Sequence, residues 1–159
     1  MAKKKDKNIL LVPVDFTSFS EEALVFASGL AKCLSAQLLV LHVIHDPLEA
    51  PGFYAPKGKK KKYLSSMEDA ANEMMEEFMK KMREAHPKSD TLKKANQLLV
   101  VGTPVTRIIE IAKKKRAKMI FVGSHGRTGL SHLLVGSKAE RVVQLSPIPV
   151  VVVKTSREK

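Results

Sequence analysis

The chain has little or none of several residue types, and each shortage excludes a class of protein. A single cysteine, Cys33, excludes a disulfide framework within the chain and favours a reducing compartment. Tryptophan is absent, aromatic residues make up only 5% and no nucleic-acid-binding module is recognisable, so recognition by base stacking is disfavoured and no nucleic-acid partner is expected. No apolar run approaches the roughly 20 residues that cross a bilayer, and the apolar run after the basic N-terminus is too short for a signal peptide. We therefore expect a cytoplasmic protein without a membrane partner.

Positive charge is abundant but confined to three runs. The chain of 159 residues has 28 Lys and Arg against 16 Asp and Glu, a formal net charge of +12. Residues 3–7 carry +3, residues 57–62 carry +5 and residues 113–118 carry +5, so the remainder sums to −1. The body of the protein is thus nearly neutral. The runs are either solvated surface or the basis of an alternative function, a polyanion-binding module in which a bound nucleotide would be structural.

The pattern of the first half predicts strand, helix, strand, loop and helix. Residues 8–14 and 37–44 are nearly continuous apolar runs, typical of strands buried on both faces. Between them, Thr17 or Ser18 can cap a helix whose inward face has helical spacing. That face is predicted to comprise Ala23, Phe26, Ala27, Leu30, Ala31 and Leu34. Residues 45–62 are rich in Pro, Gly and Lys and predict a long loop or lid, with helical periodicity from Leu64 until Pro87.

The second half alternates regularly between strands and helices. Strands are predicted at 97–101, 118–122 and 150–153, and helices at 105–115 and 135–145. This alternation predicts one doubly wound α/β domain over residues 8–154, with tails at 1–7 and 155–159. A parallel sheet of this kind has a crevice at the carboxyl ends of its strands, where the winding reverses.

A glycine motif directly follows the strand at 118–122. It consists of Gly123, Gly126 and, after nine further residues, Gly136-Ser137, with Arg127 in the connecting segment. Glycines bring backbone N–H groups close to an anion, and the amino end of a helix favours phosphate. The motif therefore predicts a cradle for the phosphates of a nucleotide. The alternative is a glycine-rich connection in which Ser137 is only a helix cap.

Other familiar motifs are missing. There is no Walker A sequence, and the first strand-to-helix turn lacks the glycines of a dinucleotide fingerprint. That turn instead contains Asp15, which could meet a ribose hydroxyl, a magnesium ion or an adenine amine, or could serve only as a cap. Ser124, His125 and Asp15 lack the G-x-S-x-G context of a hydrolase, and the histidines lack metal-ligand spacing.

Four stretches of the chain together resemble the universal stress protein family, specifically its ATP-binding branch. They are ILLVPVDFTSFSEEAL at 9–24, LLVLHV at 38–43, KRAKMIFVGSHGRTGLSHLLVGSKAERVV at 115–143 and SPIPVVVVK at 146–154. The resemblance implies a five-stranded parallel sheet, Rossmann-like and similar to the adenine nucleotide alpha hydrolases. It also implies a homodimer paired through the last strand, at residues 149–153, where an exposed apolar edge would otherwise favour aggregation.

The resemblance further implies ATP in the crevice, assisted by Mg²⁺ or Mn²⁺. Adenine and ribose would lie near the first turn and the second strand, and the phosphates near the glycine motif. The implied binding residues are Pro13, Val14, Asp15, Val43, Gly123, Ser124, His125, Gly126, Arg127, Gly136, Ser137 and Lys138. Lys138 departs from the small or apolar residue common in the family. The predicted function is a nucleotide-dependent regulator or sensor in stress response, with at most slow ATP hydrolysis.

Overall fold

A computed structural model of the chain describes residues 8–45, 59–125 and 135–154, in which one parallel sheet organises the chain. Its strands are β1 (Ile9–Pro13), β2 (Gln37–Ile44), β3 (Asn96–Val101), β4 (Ala117–Gly123) and β5 (Val150–Val153). They lie in the order β3-β2-β1-β4-β5, and every neighbouring pair is parallel. The predicted doubly wound α/β architecture is confirmed.

Helices cover both faces of the sheet. They are α1 (Ser18–Cys33), α2 (Lys59–Ala85), α3 (Asp90–Lys93), α4 (Pro104–Lys114) and α5 (Ser137–Leu145). Alternate side chains of the strands enter two separate cores, as the two-residue period of a strand requires. One core contains Leu10 and Val12 with α1, α2 and α3, and the other contains Leu11 and Leu41 with α4 and α5. None of the described helices is long and apolar enough to cross a membrane.

The inward face predicted for α1 is only partly buried. Thr17 caps the helix as predicted, its hydroxyl accepting from the Ser20 N–H at 3.4 Å. Ala23, Ala27 and Ala31 are fully buried, whereas Phe26 and Leu34 are 55% and 43% exposed. The prediction was wrong for these two because small residues bring α1 close to the sheet, and larger residues at the edge of that contact are covered only in part; the Phe26 ring still lies 6.3 Å from that of the buried Phe121.

The helix predicted from Leu64 begins five residues earlier, at Lys59. Four lysines that the sequence placed in the predicted loop, residues 59–62, are therefore helical. The prediction started the helix at its first apolar contact, but lysine is a good helix former and no proline or glycine follows Gly58 in this stretch. Residues 46–58, the rest of the predicted loop, lie outside the described residues, as do the tails 1–7 and 155–159.

The sequence analysis did not predict α3, a single helical turn between α2 and β3. Ser89 caps it, its hydroxyl accepting from the Leu92 N–H at 3.4 Å, and Leu92 is completely buried. The four residues of α3 include one apolar side chain, which is too few to show a helical period. The Ser-Asp pair at its amino end was therefore the one sequence signal for this turn.

Candidate functional site

The crevice lies where β1 and β4 are neighbours. The chain leaves β1 for β2 and β3 on one side of the sheet, and then returns to place β4 and β5 on the other side. The connections that follow β1 and β4 therefore diverge at the carboxyl edge. Pro13 ends β1 and Gly123 ends β4, so both predicted motifs begin at this point. Parallel α/β sheets hold their ligands at such a reversal.

Asp15 lies in the turn between β1 and α1 and stabilises that turn. Its Oδ1 accepts hydrogen bonds from the Thr17 N–H at 3.2 Å and from the Thr17 hydroxyl at 2.6 Å. Asp15 is thus not the cap itself but holds the capping residue in position. Within the described residues its second carboxylate oxygen, Oδ2, accepts no hydrogen bond. The carboxylate can therefore support the turn and still have an oxygen for a ligand.

Val14 is fixed by both of its backbone polar groups. Its N–H donates to the Leu41 carbonyl at 2.8 Å, and its carbonyl accepts from Nδ1 of His42 at 2.8 Å. Since a carbonyl can only accept, Nδ1 of His42 carries the proton. The His42 ring also lies against Phe16, with ring centroids 4.3 Å apart. The sequence alone does not indicate this support, because the contact joins residues 28 positions apart.

Phe16 adopts a backbone conformation that side chains rarely occupy, with φ of 65°. Its ring packs edge-on against Phe78 of α2, with centroids 5.5 Å apart. The turn after β1 is consequently held by aromatic contacts on one side and by the Asp15–Thr17 bonds on the other. A firmly held turn presents Val14 and Asp15 to the crevice without further reorganisation.

Gly123 allows α1 and β4 to approach each other closely. A Cβ atom at this position would lie 2.6 Å from the Phe19 carbonyl oxygen and 2.7 Å from the Phe19 carbonyl carbon. Both are backbone atoms near the start of α1, so a side chain here would displace the helix. The first glycine of the motif therefore has a packing role, whereas the sequence analysis predicted only a role in binding phosphate.

Ser124 joins the end of β4 to two other elements. Its N–H donates to the Val153 carbonyl at 2.9 Å, and its carbonyl accepts from the Gly136 N–H at 2.6 Å. Its side chain is only 3% exposed, and its hydroxyl lies 3.0 Å from Nδ1 of His125. The second part of the glycine motif is thereby tied directly to the first.

The amino end of α5 has no capping side chain from the described residues. Its N-cap is Gly136, and Thr103 at α4 likewise makes no side-chain capping bond, whereas α1 and α3 are capped by Thr17 and Ser89. Ser137 is the first residue of the helix rather than its cap, so the alternative role considered for Ser137 is not observed. The first N–H groups of α5 therefore lie beside the end of β4 without a capping side chain, an arrangement that suits an anion.

The remaining predicted site residues are less closely defined. Val43 lies on β2 and is half-buried, packing against the core under α4 and α5. Lys138 is exposed in the first turn of α5. Gly126 and Arg127 lie outside the described residues. The structure thus places Pro13, Val14 and Asp15 consecutively at the end of β1, and it joins Gly136 by a hydrogen bond to Ser124, directly after Gly123 at the end of β4.

The buried hydroxyl of Ser124 lies 3.0 Å from Nδ1 of His125, whereas Oδ1 of Asp15 is engaged by Thr17. Within the described ranges, no group of three His, Cys, Asp or Glu side chains could hold a metal ion.

Comparison with known proteins identifies the family. The model of the universal stress protein family matches residues 7–154. The chain belongs to the universal stress protein family. It is similar to universal stress protein MJ0577 of Methanocaldococcus jannaschii, with 32% identity over 160 residues that cover 91% of this chain and 93% of the relative.

Solved members of the family share the fold. The universal stress protein UspA from Lactobacillus plantarum superposes with a TM-score of 0.74 at 22% identity, covering 92% of this chain and 97% of that one. A universal stress protein solved in complex with cAMP superposes with a TM-score of 0.66 at 21% identity, covering 94% and 98%. The family to which the chain belongs therefore includes a member solved with an adenine nucleotide.

Proposed function

We propose that the protein binds ATP in the crevice between β1 and β4 and acts as a nucleotide-dependent regulator or sensor in stress response. One observation carries this proposal: the 2.6 Å bond from the Gly136 N–H to the Ser124 carbonyl holds the uncapped amino end of α5 against the end of β4. Phosphates bound there would receive backbone N–H groups and the positive end of the helix dipole. The family member solved with cAMP supports an adenine nucleotide as the ligand class.

The site divides naturally into two halves. The turn after β1, with Pro13, Val14 and Asp15, would hold adenine and ribose together with Val43. The glycine motif would follow the phosphates through Gly123, Ser124, His125, Gly126 and Arg127 to Gly136, Ser137 and Lys138. We expect regulation through binding rather than rapid turnover, because the sequence offers no evident general base or water-positioning residue near the motif. We also propose that the protein acts in the cytoplasm.

A divalent ion fits the residues that are present. Mg²⁺ favours a carboxylate or two together with phosphate oxygens and water, rather than a cage of protein ligands. Asp15 is the carboxylate at the crevice, and its Oδ2 accepts no hydrogen bond from the described residues. Bound there, the ion would neutralise phosphate charge, while Asp15 would orient it from the β1 side.

Asp15→Asn separates the ligand role of Asp15 from its structural role. The amide oxygen of Asn can still accept from Thr17, so we expect the unfolding temperature of the free protein to change by less than about 2 °C, below the roughly 2–4 °C that 1 kcal/mol produces in a chain of this size. Affinity for ATP with Mg²⁺, measured by isothermal titration calorimetry, should fall about tenfold or more, the usual effect of losing one charge-assisted contact. Asp15→Ala serves as the comparison, since it also removes the acceptor for Thr17 and should destabilise the free protein. Unchanged affinity in both variants would show that Asp15 only supports the turn.

We further propose that the protein is a homodimer paired through β5. This edge strand consists of four valines, all half-buried, and both α1 and α5 contact it. Those two helices also expose large apolar side chains, with Phe26 of α1 55%, and Val143 and Leu145 of α5 47% and 53% exposed. A second copy paired at this edge would cover them and remove an aggregation-prone strand edge.

A charge placed beside β5 should dissociate this dimer. Leu145→Glu introduces a carboxylate that would be buried without a partner in the interface, so we expect the mass in sedimentation velocity to fall from twice the 17.6 kDa chain mass to that mass. Met74→Glu is the matched control, because Met74 is 41% exposed but lies on α2, away from β5. A dimer that survives Leu145→Glu, or one that dissociates equally with Met74→Glu, would contradict pairing at β5.

A further inference from the structure

The edge of the sheet opposite the crevice collects positive charge from three separate connections. Because all strands are parallel, α1, α3 and α4 each end shortly before the strand they precede, at the amino edge of β2, β3 or β4. Each of these helices has a lysine in its last turn. The bases are Lys32 before β2, Lys93 and Lys94 before β3, and Lys113, Lys114, Lys115, Arg116 and Lys118 around the start of β4. We call this set the amino-edge surface.

The charge on this surface is not balanced by acids. The segments 30–37, 90–97 and 112–118 contain eight bases and one acid, Asp90, which gives +7 of the net +12 of the chain. All eight bases are exposed. Asp90 contacts Lys93 at 4.0 Å, but Lys94, Lys113, Lys114, Lys115 and Lys118 form no ion pair within the described residues. Cations are favourable at helix ends, yet a single helix dipole does not require this concentration.

A shallow cavity lies within the same surface. It is lined by the side chains and backbone at the starts of β1, β2 and β3 together with Lys115, and it includes three carboxamide residues, Gln37, Asn96 and Gln97. Next to it, Arg116 has φ of 53°, a left-handed conformation that favours glycine. Glycine is the residue that adopts this conformation without strain, so the arginine at position 116 adds a positive charge at some conformational cost.

We infer that the amino-edge surface binds the sugar-phosphate backbone of duplex nucleic acid without regard to base sequence. Lysine and arginine with Asn and Gln are the side chains that contact phosphate oxygens and sugars in protein–DNA complexes. The segments 30–37, 90–97 and 112–118 contain no Phe, Tyr or Trp, so they offer no aromatic platform on which unpaired bases could stack. A duplex, whose bases are already stacked, suits this surface better than a single strand.

The dimensions also suit a duplex. The starts of β3 and β4 are separated by three strand spacings, about 14 Å, given a spacing of about 4.8 Å. One strand of B-DNA presents a phosphate about every 3.4 Å along the helix axis, so this span faces about four phosphates. An anionic membrane is less well matched, because surface-bound proteins add several exposed apolar groups to their charge. In these three segments, all of which the structure describes, Leu34 is the one exposed large apolar side chain.

The inference is tested by fluorescence anisotropy of a labelled 20-base-pair DNA of mixed sequence with the full-length protein. Four neutralised phosphates predict a slope of about −3.5 for log affinity against log salt, and therefore about a hundredfold weaker binding at 200 mM than at 50 mM salt. The variant Lys113→Gln/Lys114→Gln/Lys115→Gln/Lys118→Gln should lose most of this slope and bind at least about thirtyfold more weakly at 50 mM. A duplex of different sequence should bind the wild-type protein equally well.

The matched control, Lys59→Gln/Lys60→Gln/Lys61→Gln/Lys62→Gln, removes the same charge at the start of α2, near the opposite edge of the sheet. It should retain most of the binding. Equal losses in the two variants, or a loss confined to the control, would overturn the inference in favour of bulk charge or the start of α2. Stronger binding to vesicles with 30% phosphatidylserine than to DNA would overturn it in favour of a membrane. The amino-edge variant should bind ATP normally, so this test is independent of the nucleotide site.

Discussion

Gly123→Ala is expected to lower the free energy of unfolding by about 3 kcal/mol or more, although it adds only one methyl group. Forcing extra carbons into a packed core usually costs about 1–3 kcal/mol. Here the added Cβ would lie 2.6 Å from the carbonyl oxygen of Phe19, a backbone atom that cannot rotate away. Relief requires α1 to shift from β4, which would disturb the buried alanines between them. Urea-induced unfolding followed by circular dichroism measures the change.

Gly29→Ala is the matched control for this prediction. Gly29 lies in the middle of α1, is exposed and has no atom within 4 Å of the position of an added Cβ. Because alanine is the better helix former, this substitution should raise the free energy of unfolding by about 0.5–1 kcal/mol. The two substitutions are chemically identical and should therefore have opposite signs. Similar stability of the two variants would contradict the close approach of α1 to β4.

Gly136→Val is expected to weaken ATP binding at least about a hundredfold, a loss of about 2.7 kcal/mol. We propose a steric reason, in which a branched side chain at the N-cap of α5 hinders a phosphate from approaching the first N–H groups of that helix. The backbone of Gly136 has φ of −69° and ψ of 149°, a conformation that valine adopts readily. The fold should therefore tolerate the substitution. Calorimetric titration with ATP and Mg²⁺ measures the affinity.

The unfolding temperature of the free Gly136→Val variant provides the control. We expect it to lie within about 2–4 °C of the wild-type value, the shift that about 1 kcal/mol produces in a protein of this size. A stable variant that has lost ATP binding would support the cradle formed by Ser124 and α5. A stable variant with wild-type affinity would contradict it.

The strands were the most predictable part of the fold. The bounds of β2 and β5 agree with the sequence prediction, that of β3 differs by one residue at its start, and those of β1 and β4 differ by one residue at each end. Continuous apolar runs are rare outside strands covered on both faces, so Gln37–Ile44 and Val150–Val153 are recognisable without tertiary information. The alternation with helices then determined the parallel sheet and the position of the crevice.

Features that depend on contacts between distant residues were not predictable. The packing role of Gly123 needs the position of Phe19, and the support of Val14 by His42 needs two neighbouring strands in register. The exposure of Phe26 is another such feature, because helical spacing identifies a face but not how far the sheet covers it. The start of α2 at Lys59 was missed because lysines extend a helix without leaving an apolar signal.

The nucleotide itself provides the most direct test. The protein should be purified, denatured, and the released small molecules identified by liquid chromatography and mass spectrometry, with parallel thermal unfolding in the presence of ATP and Mg²⁺. We predict that an adenine nucleotide is released, or that ATP at one hundred times its dissociation constant stabilises the protein by about 2.7 kcal/mol. If no nucleotide is released and saturating ATP with Mg²⁺ leaves the unfolding temperature unchanged, the crevice between β1 and β4 is not an ATP site.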